Sequence, residues 1–490
     1  MTNPYIPSTA SERRDLLEAI EVHSLEDLLK QIPQEVRWTG PVPDGHPAAE
    51  LLVRPLTEME LTALARQRAE QNADLADRPS FLGAGTYRHF IPSAVGHLAL
   101  RSEFLTAYTP YQPEASQGLL QAIFEFQTYI SRLTGMDVAN AGLYDGATAL
   151  AEAALMGLSA RPAAKRVVLS RAIHPQYREV VRTHVSALGA EVIEVDCADG
   201  ATSLEKWREA LGLSAPKDAA GGGASPSSAD ASPAAAVALF QSPNFFGCLE
   251  DGAALVEAAH KAGALAAVAF NPIALGVLAT PGQWGADIAV AEGQPLGMAP
   301  GAGGETLGLF AARAEHVWKM PGRLVGLTRD REGRRAYVLT LQSREQHIRR
   351  ARATSNICTN HSLFALMACI YMATVSAEGL RELAGICAGR CALARRRLAQ
   401  IPGCQLAFPK ADHFHEFALR TGRDARELER RIARESGILA GYPLGREYPE
   451  LADALLVCTT EMTSEADIER LAVALEQALG ARRPSDRKKK

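Results

Sequence analysis

Leu119, Ile123, Phe126, Ile130 and Leu133 recur at spacings of three and four, which predicts a helix with one buried face. Elsewhere between about residues 80 and 320 the texture changes. Short apolar runs with little alternation occur at 166–170 (RVVLS), 191–195 (EVIEV), 237–240 (VALF), 264–269 (ALAAVA), 287–291 (DIAVA) and 307–310 (LGLF). Such runs predict strands buried on both faces. Helical stretches at 175–187 and 252–262 fall between them. This alternation predicts a large α/β domain with a mostly parallel sheet, over residues 80–329. Strands at 414–419 and 454–459, each followed by a helix (423–436 and 465–479), predict a smaller α+β domain over 330–480.

Residues 1–79 form a helical arm by the same reading. Thr9 with Glu12, and Thr57 with Glu60, have the spacing of a capping box. Ser24 opens a short helix closed by Pro33, and residues 37–50 are a loop rich in Pro and Gly. The arm is too short for a core of its own, so it is expected to pack on another domain or chain. Residues 213–236 are rich in Ala, Gly, Ser and Pro and predict a flexible insertion. Residues 481–490 form a short basic tail. No internal repeat is visible.

The chain has 490 residues, 47% of them hydrophobic, enough for sizeable cores. A net charge of −4 gives no basic surface for nucleic acid. No apolar run was expected to reach the roughly 18 residues that span a bilayer. The N-terminus shows no charged-then-apolar signal pattern, so a cytoplasmic chain with no membrane partner is expected. Its 8 cysteines are scattered without a CxxC pair, and read as reduced core residues.

Two segments carry candidate chemistry. The loop at 108–118 (YTPYQPEASQG) places Tyr108, Tyr111 and Glu114 on a backbone stiffened by Pro110 and Pro113. It suits a ligand or partner site, or it is a surface loop that starts the helix after it. Gly146, Ala147 and Thr148 open the helix around Ala149–Met156 and could hold a phosphate at its N-terminus. Asp145 before them is also an ordinary N-cap. His89 and His174 read as packed or solvent-facing histidines. His413 and His415 alternate in a strand and share a face, with no third ligand, so no metal site is expected. The glycines at 83–85 and 301–304 lack the strand–turn–helix context of a dinucleotide fingerprint. Arg395–Arg397 and Arg430, Arg431 and Arg434 read as solvated helix faces.

Several motifs resemble the glycine decarboxylase P-protein family, in one order along the chain. They are PYIPSTASERRDLLEAI from residue 4, FLGAGTYRHFIP from 81, AYTPYQPEASQG from 107, AGLYDGATALAEAALM from 141, AEGQPLGMAPGAGG from 291 and ATSNICTN from 353. At this length the resemblance is to the α subunits of the two-chain bacterial form. It implies a fold-type-I pyridoxal-phosphate-transferase-like α/β architecture. It also implies a share in glycine dehydrogenase (aminomethyl-transferring) activity, in which glycine is decarboxylated and its aminomethyl group passes to lipoyl H-protein. Pyridoxal phosphate and its lysine are then expected on a partner β subunit, in an α2β2 assembly with the active site near the α/β interface.

The residues agree with that division. Enzymes of this fold need a lysine after a strand, a carboxylate for the pyridine nitrogen and a helix N-terminus for the phosphate. Residues 262–318 contain no lysine. Asn271 stands where the pairing aspartate is expected, and 252–286 hold no acidic residue except Glu257. Only a vestigial phosphate site at Gly146–Thr148 is left, and no catalytic residue is expected in this chain alone. Arg349–Arg352 depart from the acidic residue and lysine usual at that point of the family. Two other readings stay open. One is a free-standing pyridoxal-phosphate lyase or aminotransferase that uses a lysine such as Lys319. The other is a non-catalytic scaffold for the β subunit.

Overall fold

The computed structural model describes residues 8–37, 56–75, 78–105, 108–213, 235–301 and 303–480. Most of the 37–50 loop and of the 213–236 insertion, and all of the basic tail, lie outside the described residues. The chain divides into residues 1–74 and residues 75–490.

In the first unit, helices α1 (Ala10–Ala19) and α2 (Glu58–Ala69) both begin with full capping boxes. Thr9 Oγ1 accepts from Glu12 N at 3.2 Å, and Glu12 Oε2 accepts from Thr9 N at 2.7 Å. Thr57 and Glu60 repeat the exchange. Each box satisfies donors that a helix N-terminus leaves free. Ser24 caps a single turn, Leu25–Leu28, in the same way through Asp27.

In the second unit, α3 (Gln117–Thr134) buries Leu119, Leu120, Ile123, Phe126 and Ile130 and ends at Gly135, whose φ of 70° is left-handed. Strand β1 (Val138–Ala139) and helix α4 (Gly146–Ala160) follow. Then come β2 (Arg166–Ser170), α5 (Pro175–Ser186), β3 (Glu191–Val195), β4 (Ala235–Ser242), α6 (Gly252–Lys261), β5 (Leu265–Phe270), β6 (Ile288–Glu292) and β7 (Gly308–Ala312). The sheet order is β1-β7-β6-β5-β4-β2-β3. The strands from β6 through β3 pair in parallel, while β7 is antiparallel to β6 and β1. The expected sheet is present, and β2, β4 and β5 are buried almost throughout. Helix α4 lies against β4 and β6. It can do so because Gly157 has no side chain: a Cβ there would sit 2.5 Å from Val237 Cβ.

Beyond this sheet, β8 (Leu324–Arg329) and β9 (Arg335–Thr340) form an antiparallel hairpin, so the chain on both sides of residue 330 is a two-stranded ribbon. Helix α7 (Ser362–Leu398) then joins two cores. Ala365, Leu366 and Tyr371 pack with Phe126 and Leu309, whereas Cys391, Ala394 and Leu398 pack with Phe417 and Leu455. By length and composition α7 could cross a membrane, contrary to the expectation that no such stretch exists. The helix is broken at Ser376, whose φ of 62° and ψ of 178° are not helical, and its buried face belongs to these cores. The last layer is a four-stranded antiparallel sheet in the order β10 (Gln405–Leu406), β11 (Glu416–Arg420), β13 (Ala454–Cys458), β12 (Tyr442–Pro443). Helices α8 (Ala425–Ser436) and α9 (Glu465–Leu479) pack on it.

Candidate functional site

The parallel strands β4, β5 and β6 end together at Ser242, Phe270 and Glu292, beside the start of α4. In an open α/β sheet, ligands bind at such carboxyl ends. Here the space is almost filled. The cavity between Tyr87, Tyr177, Gln241, Asn271, Glu292 and Glu416 measures about 30 Å³, room for about two waters.

Glu292 is the group that fills the helix N-terminus. Its Oε2 accepts from Gly146 N at 3.0 Å. Its Oε1 accepts from Gln294 N and Leu307 N, both at 2.9 Å. Asp145 completes the cap, accepting from Thr148 N and Thr148 Oγ1 at 2.8 Å each. Burial pushes the Glu292 carboxyl up to about 7, the three backbone donors pull against that shift, and the Asp145 charge adds to it. Tyr177 closes the remaining approach, since a Cβ on Gly146 would lie 2.5 Å from its hydroxyl.

The other positions are engaged as well. Asn271 Oδ1 accepts from Ile273 N at 2.9 Å and Ala274 N at 3.2 Å, and its Nδ2 faces His415 Nε2 at 3.2 Å. The amide therefore caps the turn after β5. Glu416 is fully buried, and burial pushes its pKa up to about 7. It accepts from Ala84 N and from the Tyr87 hydroxyl, both at 2.7 Å, which draws the 83–89 loop into the site. Gln294 holds the same loop through Tyr87 N and Tyr87 O, both at 2.9 Å.

The residues present do not fit pyridoxal phosphate. No lysine directly follows β6, Asn271 offers an amide where the resemblance implies a carboxylate, and Glu292 already takes the Gly146 N–H that a phosphate at this helix start would need. Gly146, Ala147 and Thr148 do begin a helix, but its first donors go to carboxylates of this chain. Lys319 is no substitute. It donates to Ser159 O at 3.0 Å, at the far end of α4, about 20 Å from Gly146 at 1.5 Å per residue.

The lone histidines are packed. His89 Nδ1 lies 2.8 Å from Glu461 Oε2, and His174 Nε2 donates to Ala84 O at 2.8 Å. Burial lowers the His174 pKa to about 4. His413 and His415 do not share a strand face. They precede β11, and His413 turns to Cys248 while His415 turns to Asn271. Arg397 is tied to Glu469 and Glu476 rather than simply solvated.

The second candidate region is open. Tyr108 and Tyr111 are 70% and 74% exposed, with ring centroids 6.5 Å apart. Glu114 is exposed too. The backbone beneath them is fixed: Thr109 and Pro110 are buried, and Arg323 donates to Thr109 Oγ1. Gln117 Nε2 donates to Pro113 O at 2.7 Å and to Tyr337 O at 2.8 Å, pinning the loop to β9. Tyr108 also borders a groove of about 390 Å³ with Phe104, Tyr144, Thr359, His361 and Phe364. Tyr111 and Glu114 do not line it. Sequence reading gave no role to Tyr144 or His361, although Tyr144 lies within one of the quoted motifs and His361 directly follows another. His361 Nδ1 lies 2.8 Å from Thr306 O, and its ring is 5.4 Å from that of Tyr144.

A mostly parallel sheet with a site at its carboxyl edge, followed by a smaller α+β layer, defines the fold-type-I class of pyridoxal-phosphate-dependent enzymes. The fold is shared at low identity with a NifS-like protein from Rickettsia africae (TM-score 0.58, 12% identity, covering 82% of this chain and all of that one). The family described as "Glycine cleavage system P-protein" matches residues 3–475, and the chain belongs to it. A probable glycine dehydrogenase (decarboxylating) subunit 1 from Moorella thermoacetica is 47% identical, over 97% of this chain and 99% of that protein. The protein of the same name from Geobacillus kaustophilus is 44% identical, over 96% and 98%. A crystal structure of glycine decarboxylase (P-protein) in inhibitor-bound form superposes with a TM-score of 0.80 at 40% identity, covering 97% of this chain and all of that chain.

Proposed function

We propose that this chain is the subunit without a cofactor lysine in a two-chain glycine decarboxylase of the cytoplasm. The complex decarboxylates glycine and passes the aminomethyl group to lipoyl H-protein. The cofactor sits on the second subunit, and two copies of each chain assemble. The relatives' shared name, subunit 1, implies a second subunit. The observation that carries the assignment is Glu292, a partly buried carboxylate on Gly146 N where a cofactor phosphate would have to bind.

This chain's contribution is then positional. The fixed loop presents the Tyr108 and Tyr111 hydroxyls and the Glu114 carboxylate to the second subunit's pocket. Backbone anchors hold them in place before the partner docks, so little ordering entropy is lost on docking. The groove behind Tyr108 has open volume for part of a substrate-carrying arm.

The test is an absorbance spectrum of the chain purified alone and then with the second subunit, each with added pyridoxal phosphate. We expect no Schiff-base absorbance band from the chain alone. Band and glycine–bicarbonate exchange should both require the second chain. A band that borohydride fixes to a peptide of this chain overturns the assignment.

A further inference from the structure

We propose that Asp287, Glu315 and His316 form a binding site for a Zn²⁺-class divalent transition metal, at the end of the sheet opposite the filled pocket. Asp287 directly precedes β6, and Glu315 and His316 lie in the 3-10 helix Ala314–Lys319 after β7. The antiparallel β6–β7 pairing brings together residues 28 and 29 positions apart in sequence.

His316 Nε2 is buried and has no hydrogen-bond partner. It lies 3.7 Å from Asp287 Oδ1 and 3.6 Å from Glu315 Oε1. Both separations are too long for a hydrogen bond. They are close to the spacing of two ligands on one tetrahedral ion, roughly 3.3–3.6 Å for bonds near 2.0–2.2 Å. One ligand atom from each of the three residues falls within 4.8 Å of the others.

The support around Asp287 is that of a metal ligand. Its Oδ2 accepts from Ala266 N at 2.7 Å and faces His260 Nε2 at 2.9 Å, which fixes the carboxylate and leaves Oδ1 turned to His316. Partners of this kind orient ligands and sharpen affinity. Arg313, the nearest cation on the same segment, is turned to Ala286 O at 3.0 Å.

A divalent ion with two carboxylates and a neutral imidazole is locally neutral. An imidazole among the ligands favours zinc and its neighbours over Mg²⁺ or Ca²⁺, which prefer all-oxygen shells. Glu315 is 70% exposed, so the ion can enter from solvent, and water completes the shell. Bound there, the ion would tie the Ala314–Lys319 helix to the start of β6.

The experiment is calorimetric titration of the full chain, stripped with chelator, with Zn²⁺ alone, then Mg²⁺ and Ca²⁺. We expect one Zn²⁺ per chain, no Mg²⁺ or Ca²⁺ uptake, and a higher melting temperature with zinc. His316→Gln and Glu315→Gln should each weaken zinc at least about tenfold, and His260→Gln about tenfold through Asp287. His347→Gln, elsewhere on the surface, should change nothing. Glu315 and His316 lie in a short peripheral helix, so these variants test the site without removing Asp287 from the core. Absence of zinc uptake by the wild-type chain, or uptake that survives both His316→Gln and Glu315→Gln, overturns the proposal.

Discussion

Gly146 N donates to Glu292 Oε2 at 3.0 Å, across the gap between the start of α4 and the end of β6. A helix N-terminus attracts an anion because its first N–H groups lack partners and its dipole favours negative charge. Here the anion is a side chain of the chain itself. It is held by three backbone donors, so a free phosphate would have to displace a tethered competitor.

That packing leaves no room at Gly146. Gly146→Ala would place a Cβ 2.5 Å from the Tyr177 hydroxyl and 2.8 Å from Glu292 N. The expected loss is about 1–3 kcal/mol, as for overpacking elsewhere. Urea unfolding of Gly146→Ala, Tyr177→Phe and the double variant checks it. Tyr177→Phe removes the nearer obstacle and should recover part of the loss, and a purely additive cycle would contradict the geometry.

The buried carboxylates give the stability a pH dependence of known sign. Glu416, like Glu292, has its folded pKa raised to about 7 by burial. Its contribution is complete below the unfolded value and is lost as pH rises through about 7. One such group is worth about 3 kcal/mol between those limits. Glu416→Gln keeps an acceptor for Ala84 N and leaves the Tyr87 hydroxyl free to turn and accept. The variant should match the wild type near pH 5 and melt higher than it at pH 8. Melting curves of both proteins across that range measure the difference, and parallel profiles would exclude the effect.

Ser376 interrupts α7 in a backbone region that L residues rarely enter, at a cost of about 1–3 kcal/mol. Its hydroxyl lies 2.9 Å from Glu378 Oε2. Ser376→Gly relieves the strain and should raise unfolding free energy by up to about 1 kcal/mol after the entropic cost of glycine. Ser376→Ala keeps the strain, loses the hydroxyl and should lower it. Denaturant titration of the two variants tests the sign.

Tyr108→Phe, Tyr111→Phe and Glu114→Gln should leave the melting temperature within about 1 °C, because exposed substitutions scarcely move stability. In the assembled complex, loss of one hydrogen bond worth about 0.5–1.5 kcal/mol corresponds to roughly a 2- to 12-fold drop in exchange rate. Co-expression with the second subunit, then glycine–bicarbonate exchange with H-protein, measures it. Unchanged exchange in all three would favour the scaffold reading.

What the sequence determined by itself is what depends on local order. The apolar runs at 166–170, 237–240 and 264–269 suited strands buried on both faces, and they became β2, β4 and β5. Capping boxes at Thr9 and Thr57 are four-residue patterns and formed as read. The missing lysine was also legible, since absence from a segment needs no structure. Tertiary structure alone decided what the start of α4 and the 83–89 loop bind. Glu292 is 146 residues from Gly146, and Glu416 is 332 from Ala84. Such pairs have no periodicity, because folding of the sheet, not spacing, sets them side by side. The same holds for Asp287 and His316, joined by an antiparallel pairing, and for the break at Ser376, which no residue pattern around it marks.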